Sequence, residues 1–376
     1  MRYFIIAGEA SGDLHASNLM RELRNADPEA EFCFLGGDLM QAQGGKMIRH
    51  YRQMAFMGIV AVLKNARTVL GNLRDCKQAI LDFEPDVLIL VDYPSFNLRV
   101  ARFVKENLPI PVFYYISPKL WAWKEYRIRD VKRYVDKMFT ILPFETEFYN
   151  SYNYQVDYVG NPSVDSVASY QGISQSDAGF CASHGFPQKP IIALLPGSRK
   201  QEISKCLGRM IEAAGKFTDY QTVISGAPGI DPGFYKPFLQ AGNLHIVFGQ
   251  TYELLRHSKA AIVNSGTATL ETALIGTPEV VVYHVALGRF GYWLKDMVIK
   301  VKYISLVNLI LGKEAVKELV AHLFTVGNLV EELDLILNNG TYRNKMQEDY
   351  SRLRQILGEP GAAKRAAEGM VGELKK

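Results

Sequence analysis

Short apolar segments alternate with amphipathic ones along this 376-residue chain, and this alternation constrains the fold more than any other feature. Parallel strands that are connected through helices are buried on both faces, so they read as short apolar runs rich in Val, Ile, Leu and Phe. The pattern predicts an α/β fold built from βαβ units, with strands at 3–7, 32–35, 87–91, 112–116, 138–142 and 156–159, and again at 191–195, 221–225, 245–248, 260–264 and 280–283.

Length and a break in this pattern indicate two Rossmann-like domains. One hydrophobic core usually stops growing at about 250 to 300 residues, fewer than this chain has. Gly160-Asn161-Pro162 and the polar segment 170–183 interrupt the alternation between the two sets of strands. We expect an N-terminal domain at 1–168, a second domain at 169–340, and C-terminal helices at 341–376 that pack across the domain junction.

Composition and charge argue against several classes of protein. A net charge of +4 is small and evenly spread, so we expect no nucleic-acid binding. The four cysteines show no CxxC spacing, and we expect reduced thiols without a disulfide or a zinc site, in a cytoplasmic protein. The chain shows neither a cleavable signal nor a run of about 18 apolar residues, so we expect no membrane-spanning segment.

The turn after the first strand, Gly8-Glu9-Ala10-Ser11-Gly12-Asp13, precedes a helix that we predict to begin near Leu14. Glycines permit a tight turn and let a ligand approach backbone N–H groups at the positive end of a helix. The candidate binding residues here are Gly8, Glu9, Ser11 and Gly12. The alternative is a βα turn that Ser11 or Asp13 caps.

A similar arrangement opens the second domain, where the strand 191–195 is followed by Pro196-Gly197-Ser198-Arg199 and a helix from about Glu202. The guanidinium of Arg199 adds a forked donor to an anion-friendly helix start, which suits a pyrophosphate. Gly197 and Ser198 belong to the same candidate site. The alternative is a loop arginine that pairs with a surface carboxylate.

The strand 260–264 leads into Ser265-Gly266-Thr267-Ala268-Thr269-Leu270-Glu271, which places hydroxyls and backbone N–H groups at a helix start. Ser265 and Thr267 could hold phosphate oxygens, while Glu271, one turn inside the helix, accepts from ribose hydroxyls. The alternative is an ordinary helix cap. Two such helix starts at one sheet edge predict a nucleotide site, and neither is a Walker motif. The candidate residues of this loop are Ser265, Gly266, Thr267, Thr269 and Glu271.

Asp92 follows the strand 87–91, so its carboxylate lies at the carboxyl edge of the first sheet. A carboxylate in this position can take a proton from an acceptor hydroxyl. The alternative is that Asp92 caps the helix that starts near Phe96.

Two apolar and basic segments suggest contact with an acidic lipid surface. The first is 54–63 together with the helix that follows, where Lys64, Arg67, Arg74 and Lys77 form one stripe and Leu63, Ala66, Leu70, Leu73 and Ile80 form another. The second is the aromatic and basic segment 290–303. In both, a solvated face above a core-facing stripe is the commoner explanation of such a pattern.

Eight ordered motifs resemble those of the lipid-A-disaccharide synthase family over nearly the whole chain. The matching segments are GEASGD at 8–13, MGIV at 57–60, PDVLILVDYPSFN at 85–97, YYISPKLWAWKEYR at 114–127, LPFE at 142–145, LPGSR at 195–199, SGTATLE at 265–271 and NLILGKEAVKEL at 308–319. The resemblance implies a GT-B glycosyltransferase, with two Rossmann-like domains across a cleft, inversion at the anomeric carbon, and no metal or cofactor.

The resemblance also implies the substrates. The family transfers 2,3-diacylglucosamine from its UDP donor to the 6-hydroxyl of 2,3-diacylglucosamine 1-phosphate, which gives lipid A disaccharide 1-phosphate and UDP. By the same resemblance Asp92 matches the family's essential acid, and the UDP-binding positions are Arg199, Ser265, Thr267, Glu271 and Asn308. We expect peripheral contact with the cytoplasmic face of the inner membrane, and a homodimer is left open.

Three positions depart from the family pattern: Asn161 replaces a usual His, Ala61 a frequent Glu, and Val307 a common Pro. Two alternatives from other classes remain at this stage. A UDP-sugar epimerase of the same fold would share the nucleotide half but would need further acid and base residues. A non-catalytic lipid or nucleotide-binding protein would tolerate the loss of Asp92.

Overall fold

The structure is a computed structural model that describes residues 1–54, 66–170, 176–239, 244–284 and 302–376. The chain divides into two compact units. Unit 1 comprises Met1–Pro162 and Glu359–Lys376, and unit 2 comprises Ser163–Gly358. The end of the chain therefore belongs to the unit that contains its beginning.

Unit 1 is built on a parallel sheet. Its strands are β1 (Arg2–Ala7), β2 (Glu31–Gly36), β3 (Lys46–His50), β4 (Val87–Val91), β5 (Val112–Tyr115), β6 (Lys137–Thr140) and β7 (Asp157–Tyr158). The described residues form seven strands in the order β3-β2-β1-β4-β5-β6-β7. Every pairing in this sheet is parallel, as helical crossovers require.

Unit 2 repeats this plan with a six-stranded sheet within the described ranges. Its strands are β8 (Ile191–Leu195), β9 (Gln221–Gly226), β10 (Leu244–Phe248), β11 (Ser258–Asn264), β12 (Glu279–Tyr283) and β13 (Lys317–Val320). They lie in the order β10-β9-β8-β11-β12-β13 and are likewise parallel.

Helices connect the strands and cover both sheets. Those described are α1 (Ala10–Ala26), α2 (Asp38–Ala42), α3 (Ala66–Phe83), α4 (Pro94–Asn107), α5 (Ile128–Tyr134), α6 (Phe144–Asn150), α7 (Pro162–Ala168), α8 (Asp177–Ser183), α9 (Lys200–Ala214), α10 (Thr251–Arg256), α11 (Thr267–Ile275), α12 (Leu306–Leu311), α13 (Val326–Asn338), α14 (Gly340–Leu357) and α15 (Ala362–Leu374). Short 3₁₀ turns lie at Tyr51–Gln53, Glu125–Arg127, Pro232–Phe238 and Ala321–Leu323.

The C-terminal helix α15 completes the core of unit 1. Its small residues recur every three or four positions, and Ala366, Ala367 and Met370 are fully buried. They join a hydrophobic cluster that includes Leu19 and Leu23 of α1. Small side chains let the two helices approach closely, so α15 packs against α1.

The predicted fold class is confirmed, since both units are parallel-sheet α/β structures. Two strands, β3 and β13, were absent from the prediction. Some helix starts were predicted too late: α1 begins at Ala10 instead of near Leu14, because Glu9 already occupies the extended N-cap position. The starts of α4 and α9 lie two residues earlier than predicted, at Pro94 and Lys200.

The predicted lipid-facing segments are only partly described. Residues 55–65, which include Ala61, the MGIV motif and Lys64, lie outside the described residues, as do 285–301. On α3, Leu73 and Ile80 pack into the core, but Leu70 is 60% exposed and does not belong to the buried stripe. No helix within the described ranges is long and apolar enough to cross a membrane.

Candidate active site

Each sheet has one position where the strand order reverses direction, and the candidate residues follow the strands at that position. In unit 1 the reversal lies between β1 and β4, which lead into Gly8 and Asp92. In unit 2 it lies between β8 and β11, which lead into the loops at 196–199 and 265–266. Parallel α/β sheets bind ligands at such switch points, beyond the carboxyl ends of the strands.

In unit 1 the Gly8 turn packs directly against the ring of Tyr93. A Cβ atom at Gly8 would lie 2.2 Å from a Tyr93 ring carbon, so no larger residue fits without a shift. The Tyr93 hydroxyl in turn donates to the Met54 carbonyl at 3.1 Å. The first and fourth strands are thereby joined through Gly8 and Tyr93 at the candidate site.

The remaining residues of this turn lie in the first turn of α1. Ser11 is exposed, Gly12 is buried, and no side chain caps the helix at Glu9. Asp13 instead caps α2, because its carboxylate accepts from the backbone N–H groups of Gly37, Leu39 and Met40 at 2.8 to 3.1 Å. The predicted alternative, a cap on α1 by Ser11 or Asp13, is wrong.

Asp92 and Tyr93 both have left-handed backbone conformations, with φ angles of 44° and 48°. Two adjacent non-glycine residues in this region are uncommon, and surrounding bonds must hold them there. The Asp92 carbonyl accepts from the Tyr114 hydroxyl at 2.5 Å and from the Asn97 side-chain amide at 2.6 Å. These two donors fix the direction in which the chain leaves β4.

The Asp92 carboxyl is partly buried and does not cap α4 through its side chain, since the N-cap residue is Tyr93 without a side-chain cap bond. Burial raises the pKa of Asp92 above its ordinary value, and the Lys119 charge and the Tyr93 N–H act in the opposite direction. A buried carboxylate with few donors is a stronger proton acceptor than an exposed one.

In unit 2 the loop after β8 is drawn tightly around Glu202. Gly197 has a φ of 108°, and a Cβ there would lie 2.6 Å from a Glu202 oxygen. The Ser198 N–H donates to Glu202 Oε2, and Arg199 Nη1 lies 3.2 Å from Glu202 Oε1. Arg199 is thus held at the start of α9 by a carboxylate, as the alternative interpretation expected, while most of its side chain stays exposed.

The loop after β11 presents backbone N–H groups at the start of α11. Gly266 is the N-cap, with open space where a Cβ would lie, and Gly266 and Thr267 are exposed. The Ser265 hydroxyl lies 3.4 Å from the Ile304 carbonyl. Thr269 is fully buried, and its hydroxyl donates to the Gly266 carbonyl at 2.9 Å. The structure therefore brings Ser265, Gly266 and Thr267 together and leaves Thr269 inside the helix packing.

Glu271 lies one turn further along α11 and is partly buried. Burial raises its pKa, and the Tyr252 hydroxyl, which donates to the carboxylate, opposes this shift. Tyr252 of α10 also accepts a hydrogen bond from Ser166 of α7. Its ring meets Tyr170 edge to face, with the centroids 5.5 Å apart.

Asn308 is fully buried, and each side-chain group already has partners. Its amide donates to the Val316 carbonyl and to Glu318, while its oxygen accepts from the N–H groups of Ala315 and Val316. The same Glu318 carboxylate accepts from the Ile304 N–H. Asn308 consequently holds the segment beside Ser265 in place.

Sequence reasoning missed Asn97, Tyr114 and Tyr252 as site residues. Asn97 stands inside a quoted motif, so its position five residues after Asp92 was an available signal. Tyr114 and Tyr252 come from other elements, and nothing in their local sequence indicates their partners. Of the departures from the family pattern, Asn161 donates to the Ile141 carbonyl and Val307 is fully buried.

Solved structures share this fold at low sequence identity. The UDP-GlcNAc 2-epimerase from Neisseria meningitidis, bound to UDP-GlcNAc, has a TM-score of 0.69 and 16% identity, covering 99% of this chain and 100% of the other. The glycosyltransferase of kitacinnamycin has a TM-score of 0.63 and 11% identity, covering 99% of each chain. These likenesses confirm the predicted GT-B fold class.

Closer relatives are found in sequence. The lipid-A-disaccharide synthase of Myxococcus xanthus is 39% identical over 377 residues, which cover 98% of this chain and 97% of the relative. That of Syntrophus aciditrophicus is 37% identical over 379 residues, with 99% and 97% covered. A family model described as lipid-A-disaccharide synthetase matches residues 3–370. The resemblance carried by the eight motifs is thus confirmed, and the chain belongs to the lipid-A-disaccharide synthetase family.

Proposed function

We propose how this glycosyltransferase of lipid A biosynthesis divides its reaction between the two units. The reaction joins 2,3-diacylglucosamine, from its UDP donor, to the 6-hydroxyl of 2,3-diacylglucosamine 1-phosphate, and releases UDP. Unit 1 supplies the base and receives the acceptor, and unit 2 holds the nucleotide. The observation that carries this proposal is the position of Asp92. This residue directly follows β4 at the switch point of the sheet, and its carboxyl is partly buried.

Asp92 acts as the general base. Its carboxylate takes the proton from the acceptor 6-hydroxyl, and that oxygen attacks the anomeric carbon of the donor on the face opposite the diphosphate. The bond between the anomeric carbon and the diphosphate oxygen breaks, and UDP leaves with the electron pair. One displacement inverts the anomeric centre and gives the β-1,6 linkage, so a single base is enough.

The start of α11 and Arg199 receive the diphosphate of UDP. Ser265 and Thr267 lie beside the backbone N–H groups at the positive end of the helix, where negative charge is stabilised. The exposed guanidinium of Arg199 offsets the charge that builds up as UDP leaves. Gly197 and Ser198 shape the neighbouring loop, and Gly266 leaves room for a close approach.

Glu271 accepts from the ribose hydroxyls, while Asn308 and Thr269 act through the packing of the loop. On the acceptor side, the turn formed by Gly8, Glu9, Ser11 and Gly12 borders the sugars. Its support is the tight packing of Gly8 on Tyr93, which lies next to the base.

The acyl chains of both substrates reside in a lipid surface, and we propose peripheral contact with the cytoplasmic face of the inner membrane. Large apolar side chains on unit 1 support this contact, because Leu70, Trp123 and Tyr126 are all exposed. Extraction of the protein from membranes by salt and by detergent tests the contact separately from turnover.

The reaction is tested by supplying both lipid substrates to the wild type and to Asp92→Asn, without added metal. The wild type should form disaccharide and UDP in equal amounts. Asp92→Asn should lose about 10²- to 10⁴-fold in kcat, the usual contribution of a general base, and should keep its affinity for UDP. Asp86→Asn, at the opposite end of β4, is the matched control and should retain turnover.

Two other outcomes would point elsewhere. UDP released without disaccharide favours an epimerase-like reaction, and loss of UDP binding in Asp92→Asn would contradict the division of roles between the units. If the wild type forms no disaccharide with any acyl length, the proposed reaction is wrong for this chain.

A further inference from the structure

The loop that follows β5 carries a lysine beside the proposed base. The Asp92 N–H lies 3.3 Å from the Tyr115 carbonyl, which holds the end of β4 against the end of β5. Four residues later Lys119 is exposed, and its charge acts on the Asp92 carboxyl. Its side chain forms neither a hydrogen bond nor an ion pair with any residue that the structure describes. Lys119 therefore acts on the Asp92 carboxyl without a direct bond, and it forms no salt bridge with any residue in the described ranges.

Arg127, at the end of the same loop, is a second such cation. Its Nη2 donates to the hydroxyl of Ser95 at 3.1 Å, and Ser95 lies three residues after Asp92 in the first turn of α4. Its charge also acts on the Tyr114 hydroxyl, which bonds the Asp92 carbonyl. Within the described ranges Arg127 pairs with no carboxylate, so its other N–H groups remain available.

The loop that carries these two cations is anchored by buried and partly buried polar contacts. The Trp121 indole N–H donates to Glu145 Oε1 at 3.1 Å, and the Leu142 N–H donates to the other oxygen of the same carboxyl. The Ser117 hydroxyl bonds the Tyr149 hydroxyl at 2.9 Å inside the core. Such contacts anchor the backbone of the loop that carries Lys119 and Arg127 near the end of β4, as a preformed binding site requires.

We propose that Lys119 and Arg127 form the subsite for the anomeric phosphate of the acceptor sugar. The inference rests on the proposed function, in which Asp92 takes the proton from the acceptor 6-hydroxyl. The 6-hydroxyl and the anomeric phosphate lie on opposite sides of one pyranose ring. When the hydroxyl meets Asp92, the phosphate must lie about one sugar width away. Lys119, whose charge acts on Asp92, and Arg127, which bonds Ser95 near Asp92, can then offer it charge-assisted hydrogen bonds.

The subsite explains how the protein distinguishes its two lipid substrates. The donor carries a diphosphate ester at its anomeric carbon, and the acceptor carries a monophosphate with more charge per phosphorus. A phosphate that pairs with Lys119 also offsets the lysine charge that lowers the pKa of Asp92. The pKa then rises, and the carboxylate becomes a better proton acceptor. Binding of the correct acceptor thus favours the base at the moment when it is needed.

The test compares binding of short-chain diacylglucosamine 1-phosphate with that of the same lipid without phosphate, by tryptophan fluorescence or calorimetry. The wild type should bind the phosphorylated lipid about tenfold to a hundredfold more tightly, the usual effect of hydrogen bonds between charged groups. In Lys119→Met and in Arg127→Gln, most of this preference for the phosphorylated lipid should disappear. Arg129→Gln removes an exposed cation from the adjoining helix, and this variant should keep the preference for the phosphorylated lipid.

Binding is measured without turnover, so the outcomes separate the two proposals. Equal affinity of the wild type for both lipids would overturn the subsite, whatever the activity. So would variants that lose affinity for both lipids by the same factor, because that result indicates a structural role. Phosphate-dependent binding in a wild type that forms no disaccharide would leave the subsite standing and refute the proposed reaction.

Discussion

Two influences of opposite sign meet at the Asp92 carboxyl. Burial favours the protonated form, while Lys119 and the Tyr93 N–H favour the ionised form, and the net result is a raised pKa. A base with a raised pKa holds its proton more strongly once it is transferred. The neighbouring lysine limits how far burial raises the pKa of Asp92.

The pH dependence of kcat/KM tests this balance. The ionised carboxylate is the active form, so the rate should rise with pH through the pKa of Asp92 in the free protein. Lys119→Met removes an influence that lowers this pKa, and the rising limb should move to higher pH. In Arg129→Gln the limb should stay where it is. A limb that moves to lower pH in Lys119→Met would contradict the assignment of Asp92 as the base.

Tyr252 and Glu271 form a second pair whose geometry bears on function. The Tyr252 hydroxyl donates to the carboxylate and in turn accepts from Ser166, so the carboxylate is held in one orientation. Tyr252→Phe should weaken UDP binding by about tenfold, as the loss of one hydrogen bond to a charged group does. The same substitution should weaken the binding of 2′-deoxy-UDP and 3′-deoxy-UDP by a smaller factor.

Tyr342→Phe is the matched control, because the Tyr342 hydroxyl donates to Glu332 elsewhere in unit 2. This variant should leave the preference for UDP over its deoxy analogues unchanged. Calorimetric titration of the three nucleotides gives the ratio directly. If Tyr252→Phe weakened the binding of UDP and of both deoxy analogues by the same factor, Tyr252 would support the fold and not the ribose site.

At the scale of elements, the central strands and the edge strands β7 and β10 could be predicted from sequence, but the edge strands β3 and β13 could not. β4 is buried along its whole length and reads as a continuous apolar run, VLILV. The edge strands β3 and β13, with sequences KMIRH and KELV, mix charged with apolar residues in no regular order and contain no continuous apolar run. Periodicity alone does not separate such segments from loops or short helices.

The strand β12 begins with a buried acid that the proposed function does not use. Glu279 is fully buried, and neither carboxyl oxygen has a hydrogen-bond partner among the described residues. The hydroxyl of Tyr350, on α14, is also buried, and the Glu279 charge acts on it. Burial raises the pKa of Glu279 well above its ordinary value of 4.5, so the folded chain keeps a proton that the unfolded chain releases.

This difference makes stability depend on pH. Since the folded state binds more protons, the free energy of unfolding should fall as pH rises above about 4.5, by up to about 1.4 kcal/mol per pH unit from this one group. Glu279→Gln should remove that decline. Urea unfolding of unit 2 between pH 5 and pH 8 measures it as the difference between wild type and variant. In Glu314→Gln, which changes an exposed acid, the decline should persist.

For the whole molecule, the sequence locates the candidate residues but not the contacts between them. Parallel strands bring their carboxyl ends to one edge, which is why Asp92, Arg199 and Glu271 could be assigned to sheet edges in advance. The bonds that orient these groups join elements distant in sequence, such as Tyr114 to the Asp92 carbonyl. The close packing of side chains determines these pairings, and a single sequence does not report it.

The same limit applies to the end of the chain, which returns to the first core. Met370 on α15 is fully buried in a cluster of unit 1, and Met210 on α9 is fully buried in a cluster of unit 2. Replacing either by Ala deletes buried methylene and sulfur atoms and should cost about 2 to 5 kcal/mol of stability. Each substitution should destabilise only the unit that contains the replaced residue.

Hydrogen exchange followed by mass spectrometry localises the effect. Met370→Ala should speed exchange in β1, β4 and α1 and leave β8 and β11 unchanged, although residue 370 is closer in sequence to unit 2 than to these strands. Met210→Ala should do the reverse. Saturating UDP, which we propose binds unit 2, should slow exchange in β8 and β11 and restore part of the loss in Met210→Ala, because a ligand stabilises only the state that binds it. Faster exchange in β8 and β11 of the Met370→Ala variant would mean that the two cores unfold as one, and unit-specific stability would then be wrong.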